Sequence, residues 1–210
     1  MSWTRLARVT APSGDIVTLG EAKAHLRVDF ADDDDLIGGL IEAAIGAIDG
    51  PKGVGVCLLT QQWRLSLDGL PCTGSWWRRE PSMRRSIEIP LSPVISVDEI
   101  TYLDLGGVRQ TLDASLYVYD LDAKPLRIER AFGQVWPQAR HQPGSVKVTF
   151  TAGFGEDATG IPADLKAAMK LLIGHYYVHR EAVVGVDNRD SSAPLPLGVD
   201  LILNRYRPAL

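Results

Sequence analysis

The hydrophobic period changes twice along this chain, and that double change constrains what it can fold into. In "DDDDLIGGLIEAAIGAIDG", Leu36, Ile37, Leu40, Ile41, Ala44, Ile45 and Ile48 recur three or four residues apart, the period of a helix buried on one side. From about Leu58 to Gly153 apolar residues alternate instead, and "WRLSLDG" puts Trp63, Leu65 and Leu67 on one face of a strand. Further strands are read in "SIEIPLSPVISVDEITYLDLGGVRQTLD", "YVYD", "LRIER" and "SVKVTFTAG". After Gly160, "IPADLKAAMKLLIGHYYVHREAV" returns to the helical period. A sequence patterned for one period does not settle into the other. The expected fold class is therefore α+β, with N- and C-terminal helices forming a helical bundle and an antiparallel β region inserted between them. The expected boundaries are 1–57 for the N-terminal helices, 58–153 for the β insertion, 154–184 for the C-terminal helix, and 185–210 for a linker and C-terminal arm.

Local signals sharpen the helix ends. Thr18 followed by Glu21 is a capping-box pattern ahead of Ala22, Leu26 and Val28. Gly50-Pro51 stops the second helix, because glycine suits the position past a helix end and proline cannot continue it. Pro162 suits a first helical position, and Gly106-Gly107 suits a two-residue hairpin turn. The run Asp32–Asp35 invites a calcium reading. An EF-hand loop, however, spaces its oxygen ligands at alternate positions, with glycine at the sixth and glutamate at the twelfth. Neither is in place here, so the run reads as a helix start, with one aspartate as cap and its neighbours favouring the positive end of the dipole.

Bulk properties remove whole classes of function. The 210 residues are 45% hydrophobic and 23% charged, enough apolar content for a packed core. The net charge of −4 opposes general nucleic-acid or membrane-surface binding, which needs a positive field. Two cysteines, Cys57 and Cys72, are too few for a disulfide scaffold. "MSWTRLARVTAPSG" lacks the apolar stretch of a signal peptide, and no window holds eighteen uninterrupted apolar residues. The expectation is a soluble chain made in a reducing cytoplasm.

Candidate sites divide into surfaces and chemistry. The second helix carries Gly38, Gly39 and Gly46 with Glu42 and Ala43 opposite its apolar side. Each interior glycine costs roughly 1 kcal/mol against alanine, so the face reads as a close-packing surface for another subunit or as tolerated surface glycines. Leu171 and Val178, beside Ala167 and Gly174, form a second apolar patch on the C-terminal helix, also assigned to subunit packing. "SWWRREPSMRR" surrounds Trp76 and Trp77 with Arg78, Arg79, Arg84 and Arg85, an arrangement open to a protein interface, to nucleic acid or to a plain solvated loop. His175 and His179 have zinc-compatible spacing, but Tyr176 stands where a metalloprotease glutamate would. No catalytic motif is found, so no catalytic residue, metal or cofactor is assigned.

The ordered set "VTLGEAKAHLRVDFADDDDLIGGLIEAAIGAI", "LLTQQWRLSLDGLP", "IEIPLSPVISVDEITYLD", "VKVTFTAGFG", "IPADLKAAMKLLIGHYYVHREAV" and "LPLGVDLILNRYR" strongly resembles head–tail connector (adaptor) proteins of long-tailed phages, prophages and gene transfer agents. The resemblance spans nearly the whole chain. It implies a structural, non-enzymatic subunit, assembled in the bacterial cytoplasm, that joins identical copies in a ring at the head–tail interface, usually twelvefold. The implied partners are the portal protein above and the next connector or tail component below. DNA would pass through the lumen without sequence-specific binding, and no membrane is involved. The resemblance also implies that Leu201, Ile202, Leu203, Arg205, Tyr206 and Arg207 engage the portal, after a Gly185–Pro196 linker. The alternative for that segment is a last helix packed on its own domain. Rival functions are a metal-dependent hydrolase built on His175, His179 and the aspartates, and a DNA-binding module built on the Trp76–Arg85 loop.

Overall fold

The structure is a computed structural model, and it describes residues 5–71, 86–179 and 197–207. The chain divides into two compact units: one holds the residues up to Pro12 with Thr60–Gly153, the other Ser13–Leu59 with Phe154–Arg207.

The first unit is built from eight strands: β1 (Leu6–Thr10), β2 (Gln61–Leu67), β3 (Ile87–Ile89), β4 (Val94–Leu103), β5 (Arg109–Thr111), β6 (Tyr117–Asp120), β7 (Leu126–Arg130) and β8 (Val146–Ala152). They form a five-stranded sheet in the order β1-β2-β8-β4-β5 and a three-stranded sheet in the order β3-β7-β6. Every strand pair is antiparallel. The central strand β8 shows why the alternation specifies one register. Val146, Val148, Phe150 and Ala152 are buried while Lys147, Thr149 and Thr151 are not, so a one-residue slip would exchange the two sets. Trp63 pairs with Phe150 and Leu65 with Val148 across the ladder. The Arg8 guanidinium sits 5.0 Å from the centroid of the Trp63 ring. The turn between β4 and β5 is longer than a two-residue loop. Asp104 N–H donates to the Val108 carbonyl at 2.9 Å, and Gly107 takes φ +85° inside that turn.

The second unit holds α1 (Leu19–Leu26), α2 (Asp34–Ile48), α3 (Ala163–Val178) and α4 (Leu197–Leu203). The capping box forms: Thr18 Oγ1 accepts from Glu21 N–H at 3.2 Å, and Thr18 N–H donates to the Glu21 carboxylate at 3.1 Å. The aspartate run behaves differently from a simple cap. Asp33 occupies the cap position without a side-chain cap bond; its carboxylate accepts from the Tyr177 hydroxyl on α3, and Asp34 pairs with Lys23 on α1. The run therefore ties three helices together as well as favouring the positive end of α2. Ala22, Ile37, Ile41, Ala44, Ile48, Leu165, Met169, Leu172, Val199 and Leu203 share one core with Leu58 and Leu59. After α2, a Cβ on Gly53 would lie 2.4 Å from the Ile48 backbone, so only glycine allows the chain to fold back there.

The expected helical bundle with a β insertion is overturned. Among the described residues there are four α-helices against eight strands in two antiparallel sheets, so the protein is mixed α/β, with strands outnumbering helices. The helices α1 and α4 have 8 and 7 residues, about two turns each, too short to run the length of a bundle. Arg27 turns left-handed at φ +58° and ends α1 early. The N-terminal third is also not purely helical, because Leu6–Thr10 pairs with β2 and becomes an edge of the larger sheet.

Candidate assembly surfaces

Two helix faces in the second unit point away from its core. On α2, Ile37, Ile41, Ala44 and Ile48 point inward, so Gly39, Glu42, Ala43 and Gly46 fall on the outer side and are exposed. A Cβ added at Gly38, Gly39 or Gly46 would meet nothing within 4 Å, so the protein's own packing does not require glycine at these positions. On α3, Leu165, Ala168, Met169, Leu172 and Ile173 point inward. Leu171 and Val178 then emerge on the outer side, 43% and 73% exposed. Gly174 differs, since a Cβ there would make an ordinary contact 3.6 Å from the His25 ring. The structure thus places the Gly39–Gly46 row and the Leu171/Val178 pair on separate outer faces of the two helices.

Next to the α3 face, Lys170 bridges to Glu21 at 3.4 Å. The Glu21 carboxyl is held below its ordinary range, chiefly by the Thr18 backbone N–H and then by Lys170. The rings of His175 and His179 are 4.6 Å apart, a neighbouring pair on one helix. Among the described residues, no group of three or more His, Cys, Asp and Glu side chains could hold a metal ion. No described helix is long and apolar enough to cross a membrane.

The C-terminal residues are divided between core and surface. Leu203 is buried with Val199, and Ile202 and Tyr206 pack against the same core. The Tyr206 hydroxyl donates to Asp164 Oδ1 at 2.7 Å, and its ring meets Phe154 edge-on at 6.3 Å. Burial first, then that bond to Asp164, pushes the Tyr206 phenol up to about 12. Leu201 faces outward at 66% exposed, with Arg205 and Arg207 also exposed. The tether reading therefore gives way to a docked segment that still shows one leucine and two cations. The segment Trp76–Arg85, with Trp76, Trp77, Arg78, Arg79, Arg84 and Arg85, lies outside the described residues, as do Cys72 and the Gly185–Pro196 linker.

Sequence reasoning missed an apolar rim on the first unit. Leu105, Val108, Phe132 and Val135 are all strongly exposed. Leu105 and Val135 also line a cavity of about 540 Å³ with Leu70, Pro71, Trp136 and His141. The only signal in the sequence was the aperiodic run "AFGQVWPQ", whose aromatics fit neither a helix nor a strand pattern.

Residues 16–102, which span α1, α2, β2, β3 and nearly all of β4, match the family model of phage gp6-like head–tail connector proteins. Over that stretch, less than half of the chain, the sequence resembles the phage head–tail connector family. The chain also resembles one in the virion of a native gene transfer agent particle, at 28% identity and a TM-score of 0.71, covering 98% of this chain and 96% of that one. Chains in the neck of the empty particle, with C6 symmetry, and of the native particle, with C12 symmetry, match at 26% identity and TM-scores of 0.70, with the same coverage. No curated relative matches the chain. The solved chains thus extend the likeness beyond residue 102, to α3 and α4, which the family model does not reach.

Proposed function

We propose that this protein is a head–tail connector, a structural, non-enzymatic subunit of the neck of a gene transfer agent or phage-like particle. Twelve copies close a ring that joins the portal of the DNA-filled head to the next connector or tail component. The observation that carries the reading is the 28% identity over 98% of the chain to a virion chain, joined to neck chains in a C12-symmetric particle. In this reading Gly38, Gly39, Glu42, Gly46, Leu171 and Val178 belong to contacts between subunits. The C-terminal segment meets the portal through Leu201, Arg205 and Arg207, its outward residues, while Ile202, Leu203 and Tyr206 hold it in place. The net charge of −4 suits a lumen through which DNA passes without being gripped.

Deleting the gene tests the reading. Electron micrographs should show heads without tails, and supplying the chain in trans should restore tailed particles. Tailed, infectious or transfer-competent particles formed at the usual yield without this chain would overturn it.

A further inference from the structure

We infer that neighbouring subunits meet through two different helix faces, the apolar outer face of α3 on one copy seated on the glycine-lined outer face of α2 on the next. This rests on the ring reading above and specifies which surfaces close the ring.

Three observations on the two faces agree. The first is shape. Leu171 and Val178 project from α3, whereas α2 presents Gly39 and Gly46, where even a Cβ would find open space. Glycine lets a partner side chain approach the helix backbone, which explains residues that otherwise only weaken α2. The second is spacing. Leu171 and Val178 are seven residues apart, and so are Gly39 and Gly46. Both pairs therefore span about 10 Å at 1.5 Å per residue, and each knob meets a glycine whether the helices run parallel or antiparallel.

The third is charge. Asp35 and Glu42 flank the α2 glycines, and no basic residue occurs between Val28 and Pro51. On α3, Lys170 is already bridged to Glu21, and the helix's one carboxylate, Asp164, is engaged by Tyr206, so the Leu171/Val178 face brings no unengaged carboxylate against Asp35 and Glu42. A two-fold contact of α2 with α2 would oppose Asp35 and Glu42 to their own copies. The mixed contact avoids that like-charge clash. A contact between unlike faces is also the kind that closes rings of more than two subunits.

The test uses the full chain with Ala43→Cys and His175→Cys, near the centres of the two faces, in a Cys72→Ser background. A bis-maleimide of about 10 Å reach, matching the usual spacing of packed helices, is applied to purified tailed particles. The expected result is a ladder running past the dimer on a denaturing gel, with no ladder from either single-cysteine chain. Dimers alone would show a two-fold contact and overturn the inference. Tailed particles that contain the chain but give no cross-link would overturn it while leaving the connector role intact. Absence of the wild-type chain from particles would overturn both. Independently, Val178→Asp should leave the melting temperature of the isolated chain unchanged and reduce incorporation at least tenfold. Incorporation at the wild-type level would overturn the inference.

Discussion

Leu203 and Leu201 stand two residues apart at the end of α4, one buried and one 66% exposed, and replacing each by alanine should give opposite results. Leu203 lies in the core shared by α2 and α3, so Leu203→Ala removes three buried carbons and leaves a space that short helices can only partly close. Buried leucine-to-alanine changes cost about 2–5 kcal/mol. Taking about 3 kcal/mol, and about 2–4 °C per kcal/mol for a chain of this size, the melting temperature should fall by about 6–12 °C. Leu201→Ala should stay within about 0.5 kcal/mol of the parent, as exposed substitutions do. Thermal and urea unfolding of the isolated chain measure both. If Leu203→Ala melts with the parent, α4 is not held by its own unit, and the docked arrangement of the C-terminal segment is refuted.

Tyr206 should give the protein an alkaline signature. Its phenol is raised from 10 to about 12 in the folded chain, so its contribution is complete below pH 10 and is lost as pH rises towards 12, where the unfolded chain already ionises. Tyr206→Phe should flatten the fall in stability across that window in denaturant titrations; an unaltered slope would contradict the contact with Asp164. Gly46→Ala should stabilise the isolated chain by up to about 1 kcal/mol, since the added methyl meets open space, yet impair assembly. Gly53→Ala should instead weaken folding, because its Cβ would collide with the Ile48 backbone, and melting of the two variants side by side checks the contrast. The isolated chain should sediment as a monomer or weak oligomer at micromolar concentration, because its outward faces are narrow and obligate interfaces are large and apolar. A stable ring at that concentration would contradict assembly on a partner.

The elements with strong internal period were legible in the sequence. Ile37, Ile41, Ala44 and Ile48 marked the buried side of α2, and the Thr18–Glu21 box marked the start of α1. The alternation of β8 likewise announced which side chains enter the core. What escaped depends on pairing at a distance. Leu6–Thr10 is too short to reveal itself as a strand, and only the ladder to β2 makes it one. The bundle failed for a related reason, since a helical period states which face is buried but not that Arg27 would cut α1 to two turns. Of the candidate surfaces, the glycine row and the Leu171/Val178 pair were visible because helix geometry fixes where a residue points. The docking of Tyr206 on Asp164 was not, because a bond between residues 42 apart leaves no local pattern.

Quantitative mass spectrometry of purified tailed particles, with the portal and capsid proteins as internal standards, bears most directly on the connector role. The account calls for twelve copies of this chain per particle, retained with the neck when heads are disrupted, in keeping with C12 symmetry in the neck of the similar particle. A chain absent from the particles, or present in a number that no ring at the neck can accommodate, would contradict it.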